Sequence, residues 1–445
     1  MTAKYDVPPM PKDVTPYDWA LNQLRVPEAQ RVTQGDPNVV IALIDIGYRH
    51  HPALDGHLWR NPDPTRGDVR GWDFVNNDDS LEYTGPGEDA SMYYRGHHVF
   101  VTGEIAAAAP RCPVMILRWG WQRPASLVDA IRYAVKHGAK ILVMPHGYLT
   151  GNARDGTALF FRGTDFSYPF DNPDLRPALD EAYDAGCLIV KGTADNRGRR
   201  VTVANAAFES VLAVGSSNRR GEAADICCSA DYVEVAAPGG QRNSDDLRDR
   251  IWGYGGDDNE IPFTGGCMAS GFAGAVAALV WSRFPQLSND QVRQILRNTA
   301  QSKCWDPMLG WGILDAAKAV SLTDEELQPR LRIDAGQCTF SSRDGQPMLR
   351  VRVSNAGALD IRQAVVVAYN GDPSVPAVPE ATRENSVILQ TSQIGHAMTP
   401  VRGLHGAELD ICLTESQAGA RIWLEAYSLD RHGTNEVARA NLLIR

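Results

Sequence analysis

The stretch that decides the fold runs from Phe263 to Val280 and reads Phe-Thr-Gly-Gly-Cys-Met-Ala-Ser-Gly-Phe-Ala-Gly-Ala-Val-Ala-Ala-Leu-Val. Its first part is small and rich in glycine, and its second part is an alanine-rich apolar run long enough for about three helical turns. The pattern predicts a tight loop that leads directly into a buried helix, with Cys267 at the junction. Unpaired N–H groups and the positive end of the helix dipole favour a thiolate at such a position. By itself the stretch fits a nucleophile and a small buried core cysteine equally well.

Length, composition and charge set the broad class of the protein. A chain of 445 residues exceeds one ordinary hydrophobic core, so we expect two domains. A hydrophobic content of 43% with 22% charged residues is typical of a soluble globular protein. The formal net charge of -10 argues against nucleic acid or an acidic membrane surface as a partner. The chain has no apolar run of membrane-spanning length and no apolar signal core at its N-terminus, so we expect no membrane span and a cytoplasmic protein.

The cysteines give no sign of a metal or disulfide framework. They lie at positions 112, 187, 227, 228, 267, 304, 338 and 412, without a C-x-x-C pair or a histidine-rich cluster. We therefore expect no zinc site and, in the absence of a secretory signal, no disulfides. Most of these cysteines are interpreted as small core residues.

Two further stretches carry candidate site residues. Val39 to Asp45 is a continuous apolar run of the kind found in strands buried on both faces of a parallel sheet, and it ends in Asp45. A carboxylate at that end lies where open α/β sheets place their sites, although an aspartate there also suits a turn cap. Gly96 to Gly103 contains His97 and His98 at the start of an alanine-rich segment, which makes one of them a candidate general base. Adjacent residues point in different directions on a helix, so we expect only one to serve.

Alternating strand and helix patterns between Val114 and Ala236 predict βαβ units and an α/β fold with a parallel sheet flanked by helices. A polar and aromatic segment, 148–173, interrupts this alternation. After residue 330 the pattern changes to period two with turn signals, which predicts an all-β sandwich. We therefore expect a catalytic domain over 1–322, a linker over 323–330 and a C-terminal sandwich over 331–445.

The candidate residues occur in the order Asp45, His97, Cys267, and this part of the chain resembles the subtilisin-like peptidases over roughly residues 15–322. Five segments carry the resemblance: 41–47 for the aspartate motif, 96–103 for the histidine motif, 194–198 for the Ala-Gly-Asn-x-Gly motif, 236–239 for a strand end, and 265–271 for Gly-Thr-Ser-Met-Ala-Ser-Pro. The resemblance implies a triad of Asp45, His97 and Cys267. It further implies an oxyanion hole formed by Asn196 and the Cys267 N–H, and substrate binding by the segment Pro145, His146 and Gly147 with Arg197 near the first specificity pocket.

The same resemblance leaves a structural calcium ion open, although the oxygen-rich segment 73–79 lacks the spacing of an EF-hand loop. The expected partner is a peptide or protein substrate. A partner protein that binds the C-terminal sandwich is compatible with the same sequence. We expect Arg197 to make the first specificity pocket tolerant of acidic or polar side chains.

Two departures from the family pattern bear on the chemistry. Cys267 stands where the family has serine, and Gly271 stands where it has proline. Subtilisins converted to peptide ligases are similar, since they carry cysteine for serine and a small residue for that proline. The sequence therefore predicts a peptidase or peptide acyl-transferase acting through a thioester, with Gly271 making room for the larger sulfur. The alternatives are a catalytically impaired subtilase that serves as a binding or scaffold protein, and a cysteine that was introduced in place of serine.

Overall fold

The computed structural model describes residues 7–82, 92–120, 123, 125–145, 174–193, 204–256, 259–302, 304–370, 393–413, 421–428 and 437–443. The chain divides into two compact units, Met1–Ser321 and Leu322–Arg445. The second unit therefore includes the segment 323–330, for which the sequence predicted a linker.

A seven-stranded parallel sheet organises the first unit. Its strands are β1 (Ile41–Asp45), β2 (Gly71–Asp73), β3 (Val114–Arg118), β4 (Ile141–Val143), β5 (Leu188–Gly192), β6 (Val211–Ser217) and β7 (Val235–Pro238). Their order across the sheet is β2-β3-β1-β4-β5-β6-β7, and each neighbouring pair is parallel. The strands are buried along their length, as expected for a sheet covered on both faces. This confirms the predicted α/β fold class.

Helices cover both faces of the sheet. They are α1 (Asp18–Gln23), α2 (Val26–Ala29), α3 (Met92–Ala108), α4 (Ala125–Lys136), α5 (Leu175–Asp184), α6 (Gly266–Arg283), α7 (Asn289–Thr299) and α8 (Ala316–Val320). Apolar side chains of α4 and α5 join those of the strands in one core on one face. On the opposite face α3 packs against α6 and both contact the sheet. Among the described residues, no helix has the length and apolar character needed to cross a membrane.

The helix α6 is the predicted buried helix of the opening stretch. Nearly every residue from Gly266 to Trp281 is buried, because the alanines and glycines let neighbouring elements approach on all sides. At Gly274 a Cβ atom would overlap Val143 Cγ2 of β4. The small residues of the run are therefore a packing requirement of a helix that touches four strands of the sheet.

Two short elements were not predicted. The three-residue strand β2 forms one edge of the sheet, and a hairpin of β8 (Ile251–Tyr254) and β9 (Glu260–Phe263) precedes α6. Both are too short to show a hydrophobic period. The position of β2 is set by pairing with β3, and that of the hairpin by packing of β8 against α3.

The second unit consists of two antiparallel sheets. One contains β10 (Leu331–Ile333), β11 (Thr339–Arg343), β12 (Gln346–Asn355) and β15 (Gly406–Cys412), and the other contains β13 (Ile361–Asn370), β14 (Gln393–Val401), β16 (Arg421–Ser428) and β17 (Val437–Leu443). Side chains from both sheets form one apolar core. This arrangement is consistent with the predicted sandwich. The period-two pattern also predicts a strand at 386–389, and these residues lie outside the described ranges.

Candidate active site

Asp45 is the last residue of β1 and is completely buried. One carboxylate oxygen, Oδ1, accepts the Ile46 N–H at 2.8 Å, which fixes the side chain against the turn that follows the strand. The other oxygen, Oδ2, lies 2.8 Å from Nδ1 of His97. The aspartate therefore both caps the turn and holds the imidazole, so the two alternatives left by the sequence are not exclusive.

His97 lies inside α3, one turn after its start, rather than at a loop-to-helix boundary. Its ring packs edge-on against Phe263, with 5.7 Å between ring centroids. The neighbouring His98 is also fully buried, but its ring packs against Tyr48. The helix thus directs only His97 toward Asp45, and with Nδ1 bound to the carboxylate the other ring nitrogen, Nε2, is the one left for proton transfer.

Cys267 is the second residue of α6, after the N-cap Gly265. Gly265 donates its N–H to the Gly239 carbonyl at 2.8 Å, which ties the entry of the helix to the end of β7. A Cβ atom at Gly192 would overlap the carbonyl oxygen of Gly266, so the end of β5 lies directly against the backbone that precedes the cysteine. Cys267 is partly exposed and is not in a disulfide. The nucleophile candidate is therefore placed rigidly and reached by solvent.

Electrostatics link the three side chains. Burial lowers the pKa of His97, but the charges of Asp45 and Cys267 and hydrogen bonding to both outweigh it and raise that pKa to about 10. A raised pKa means that the imidazolium form is favoured when its two neighbours are anionic. The arrangement therefore suits a thiolate–imidazolium pair supported by a carboxylate. Such a pair can attack an electrophilic carbon and then return the proton to a leaving group.

The structure does not describe every predicted site residue. Asn196, Arg197, His146 and Gly147 lie outside the described residues. Pro145 is described and buried, and it follows Met144, whose N–H donates to the Val190 carbonyl at 3.0 Å as a continuation of the β4–β5 pairing. The structure thus brings Asp45, His97 and Cys267 together and places Pro145 beyond the end of β4.

Lys191 is a feature of the site that sequence reasoning missed. It lies in β5 with only 1% of its surface exposed, and its Nζ donates to the Met144 carbonyl at 3.0 Å. Burial lowers the pKa of Lys191 to about 7, although the negative charges of Cys267 and Asp45 act in the opposite direction. A lysine within the run Leu-Ile-Val-Lys-Gly was a visible signal, because lysine is rarely fully buried without a reason.

Glu104 is the second missed feature. This fully buried residue of α3 lies under the first turns of α6, and neither of its carboxyl oxygens has a hydrogen-bond partner among the described residues. Burial and, next, the negative charge of Cys267 hold the pKa of Glu104 well above its usual range, which favours the neutral acid. A Cβ atom at Gly271 would overlap Glu104 Oε2 and would lie 2.7 Å from Val101 Cγ1. The space at Gly271 is therefore occupied by the glutamate. That Gly271 also makes room for the sulfur stays a prediction.

Over the described ranges, no group of three or more histidine, cysteine or acidic side chains is arranged to hold a metal ion. Asp73, in the oxygen-rich segment 73–79, instead accepts the N–H groups of Val75 and Asn76 and pairs with Arg118. That aspartate stabilises a turn and the edge of the sheet.

Comparisons with known proteins bear on the family and the fold. The family model described as "Subtilase family" matches residues 36–312. A thermostable alkaline protease of Halalkalibacterium halodurans is 26% identical over 283 residues, which are 63% of this chain and 66% of that protein. A thermophilic serine proteinase of Bacillus sp. is 27% identical over 275 residues, covering 60% of this chain and 58% of that protein. The match thus spans less than two thirds of the length of these relatives. Among solved structures, a protease of Pseudoalteromonas arctica covers 69% of this chain and 99% of its own, with a TM-score of 0.54 and 21% identity, which supports the fold.

Proposed function

Since the chain belongs to the subtilase family, we propose that it cleaves or transfers peptide acyl groups with Cys267 as the nucleophile. The observation that carries the proposal is the arrangement of the buried Asp45–His97 pair beside a partly exposed cysteine at the start of α6. The cysteine nucleophile, the thioester and the acyl transfer are inferences from this geometry.

The first chemical step is attack of the Cys267 sulfur on a peptide carbonyl carbon. A new C–S bond forms and the carbonyl oxygen becomes an oxyanion. The Cys267 N–H belongs to the first helical turn, whose N–H groups have no intrahelical acceptor, so it is available to bind that oxygen. By family resemblance, the Asn196 side chain supplies a second donor. Each such donor lowers the activation free energy of acyl transfer by about 3 kcal/mol.

The second step releases the amine and leaves a thioester. The C–N bond breaks as His97 gives its proton to the leaving nitrogen, while Asp45 keeps the imidazole in the correct tautomer and orientation. Water or a second amine then attacks the thioester carbon while His97 accepts its proton. A new C–O or C–N bond forms, the C–S bond breaks, and Cys267 leaves as the thiolate. Thioesters react more readily with amines than oxygen esters do, so a cysteine at this position supports acyl transfer to amines beside hydrolysis.

Alkylation with iodoacetamide tests the nucleophile directly. The exposed Cys304 and Cys412 serve as ordinary thiols in the same sample. We expect Cys267 to be alkylated about tenfold faster than both near neutral pH, because ordinary thiols are mostly protonated there. In His97→Ala this difference should disappear. The measurement is peptide mapping by mass spectrometry over a time course.

Turnover of a peptide library, with and without an added amine, then separates hydrolysis from transfer. Amide products that contain the added amine indicate acyl transfer, and free acids alone indicate a protease. If Cys267 is alkylated no faster than Cys304 and no peptide is turned over, the chain is the binding or scaffold protein of the alternative prediction.

A further inference from the structure

Lys191 combines features that its role in the strand does not explain. It is buried in the middle of a parallel sheet, where an ammonium group loses its hydration at considerable cost. Apolar residues precede it in β5, and a methionine of similar size would fill the same space. The chain therefore retains a buried cation where an apolar side chain would pack, and this calls for a reason in the surroundings of Lys191.

The position of β5 gives the first reason for a buried cation at Lys191. Gly192, the next residue, touches the backbone of Gly266, which directly precedes Cys267. The Lys191 ammonium group reaches to the Met144 carbonyl at the end of β4. Lys191 thus lies on the strand that packs against the start of α6, and its side chain reaches the strand end that leads to the expected substrate segment.

The charges around Cys267 give the second reason for a buried cation at Lys191. With Asp45 and Cys267 as anions and His97 as a cation, these three side chains carry one net negative charge. A protonated Lys191 brings that sum to zero, and the anions of Cys267 and Asp45 in turn favour its protonation. Such coupling is reciprocal, so the cation favours the thiolate to the same extent.

We propose that Lys191 is a positioning residue of this site, whose buried ammonium group stabilises the anionic form of Cys267 and whose hydrogen bond fixes the end of β4. The proposal rests on the proposed function of Cys267. It concerns the reactivity of the nucleophile and assigns no contact between Lys191 and the substrate.

The elements packed against β5 and α6 carry other ionisable groups. Glu104 of α3 favours its neutral form and so adds no opposing charge. The strands β4, β6 and β7 carry no ionisable residue. On α5 the charged residues are exposed, on α7 Arg293 is paired with Glu234, and on α8 Lys318 is exposed. Among these packed elements, Lys191 is the buried cation outside the triad whose charge interacts with Cys267.

The test is the pH dependence of Cys267 alkylation in Lys191→Met and Lys191→Gln. Both variants remove the charge, and Gln keeps an N–H donor for the Met144 carbonyl. We expect the midpoint of the rate profile to rise by about one pH unit in both, because an opposite charge nearby lowers an acid's pKa by that order. Lys136→Met, at the exposed last residue of α4, is the control and should leave the midpoint unchanged.

The outcomes separate the two proposals. An unchanged midpoint in Lys191→Met overturns the role of the charge. If only Lys191→Gln keeps the wild-type profile, the role of Lys191 is limited to its hydrogen bond, and the role of the charge is again overturned. If Cys267 of the unmodified protein shows no selective alkylation, the proposed function itself fails. Thermal unfolding of each variant verifies that the rates are those of folded protein, and Lys191→Gln provides the measurement if the methionine variant does not fold.

Discussion

Two buried acid–base pairs in the first unit are built from similar chemistry and differ in what surrounds them. In the first, Asp45 holds His97 at 2.8 Å beside a partly exposed thiol. In the second, Glu234 holds the Arg293 Nε at 3.0 Å, and the guanidinium also donates to the carbonyl oxygens of Glu209 and Val211. Burial lowers the pKa of Arg293, but the Glu234 charge outweighs it and raises that pKa.

The difference shows how a buried ion pair is judged functional. An arginine keeps its proton at every physiological pH, so the Glu234–Arg293 pair fixes α7 to the strands without exchanging protons. A histidine gives and accepts a proton within the same range, and its second nitrogen remains for a reacting group. We therefore propose a chemical role for the Asp45–His97 pair and a stabilising role for the Glu234–Arg293 pair.

The largest expected effect comes from Asp45→Asn. The amide has the same shape, but it disfavours the tautomer of His97 that accepts a proton at Nε2, so we expect peptide turnover to fall by about 10³–10⁴-fold. Steady-state kinetics measure the loss of turnover, and thermal unfolding separately measures any loss of stability. Asp68→Asn is the control, since that buried aspartate accepts a hydrogen bond from Tyr133 and lies outside the triad. Equal losses of turnover in both variants would contradict the assignment.

The next effect is expected from Glu234→Gln, which leaves the Arg293 guanidinium buried without its carboxylate. Breaking a buried pair in this way destabilises a protein by about 3–5 kcal/mol. Urea unfolding measures the loss of stability, and iodoacetamide measures Cys267 in the remaining folded protein. The alkylation rate should stay at the wild-type value. A large fall in that rate without a loss of stability would make the second pair part of the active site.

The sequence was enough to propose the triad candidates, because each lies in a local pattern that can be recognised without knowledge of tertiary contacts. Asp45 ends a continuous apolar run, and Cys267 joins a glycine-rich loop to an apolar helix. The parallel sheet followed from the alternation of strands and helices. The hairpin β8–β9 did not, because each of its strands has only four residues and no regular period.

Glu104 and Lys191 could not be assigned to the site from the sequence for a different reason. Both are linked to the site through residues that are distant in the sequence. Glu104 lies against Gly271, and Lys191 donates to the Met144 carbonyl and interacts electrostatically with Cys267. A local pattern identifies such a residue as unusual but does not identify its partner. Gly271 illustrates this limit, since the sequence suggested an adjustment to sulfur and the structure places a carboxyl group there.

The smallest expected effect tests the contact between Gly271 and Glu104. Glu104 is a third buried acid to compare with Asp45 and Glu234, and its carboxyl oxygens have no hydrogen-bond partner among the described residues. In Gly271→Ala the new methyl group overlaps Glu104 Oε2, and such overpacking costs about 1–3 kcal/mol of stability. Glu104→Ala in the same chain removes the carboxyl and should recover much of that loss, so the two substitutions should be non-additive in urea unfolding. Gly274→Ala is the matched control, because its methyl group would instead overlap Val143 on β4. Its cost should be unchanged by Glu104→Ala, whereas additive costs for Gly271→Ala would show that Glu104 does not occupy the space beneath the nucleophile's helix.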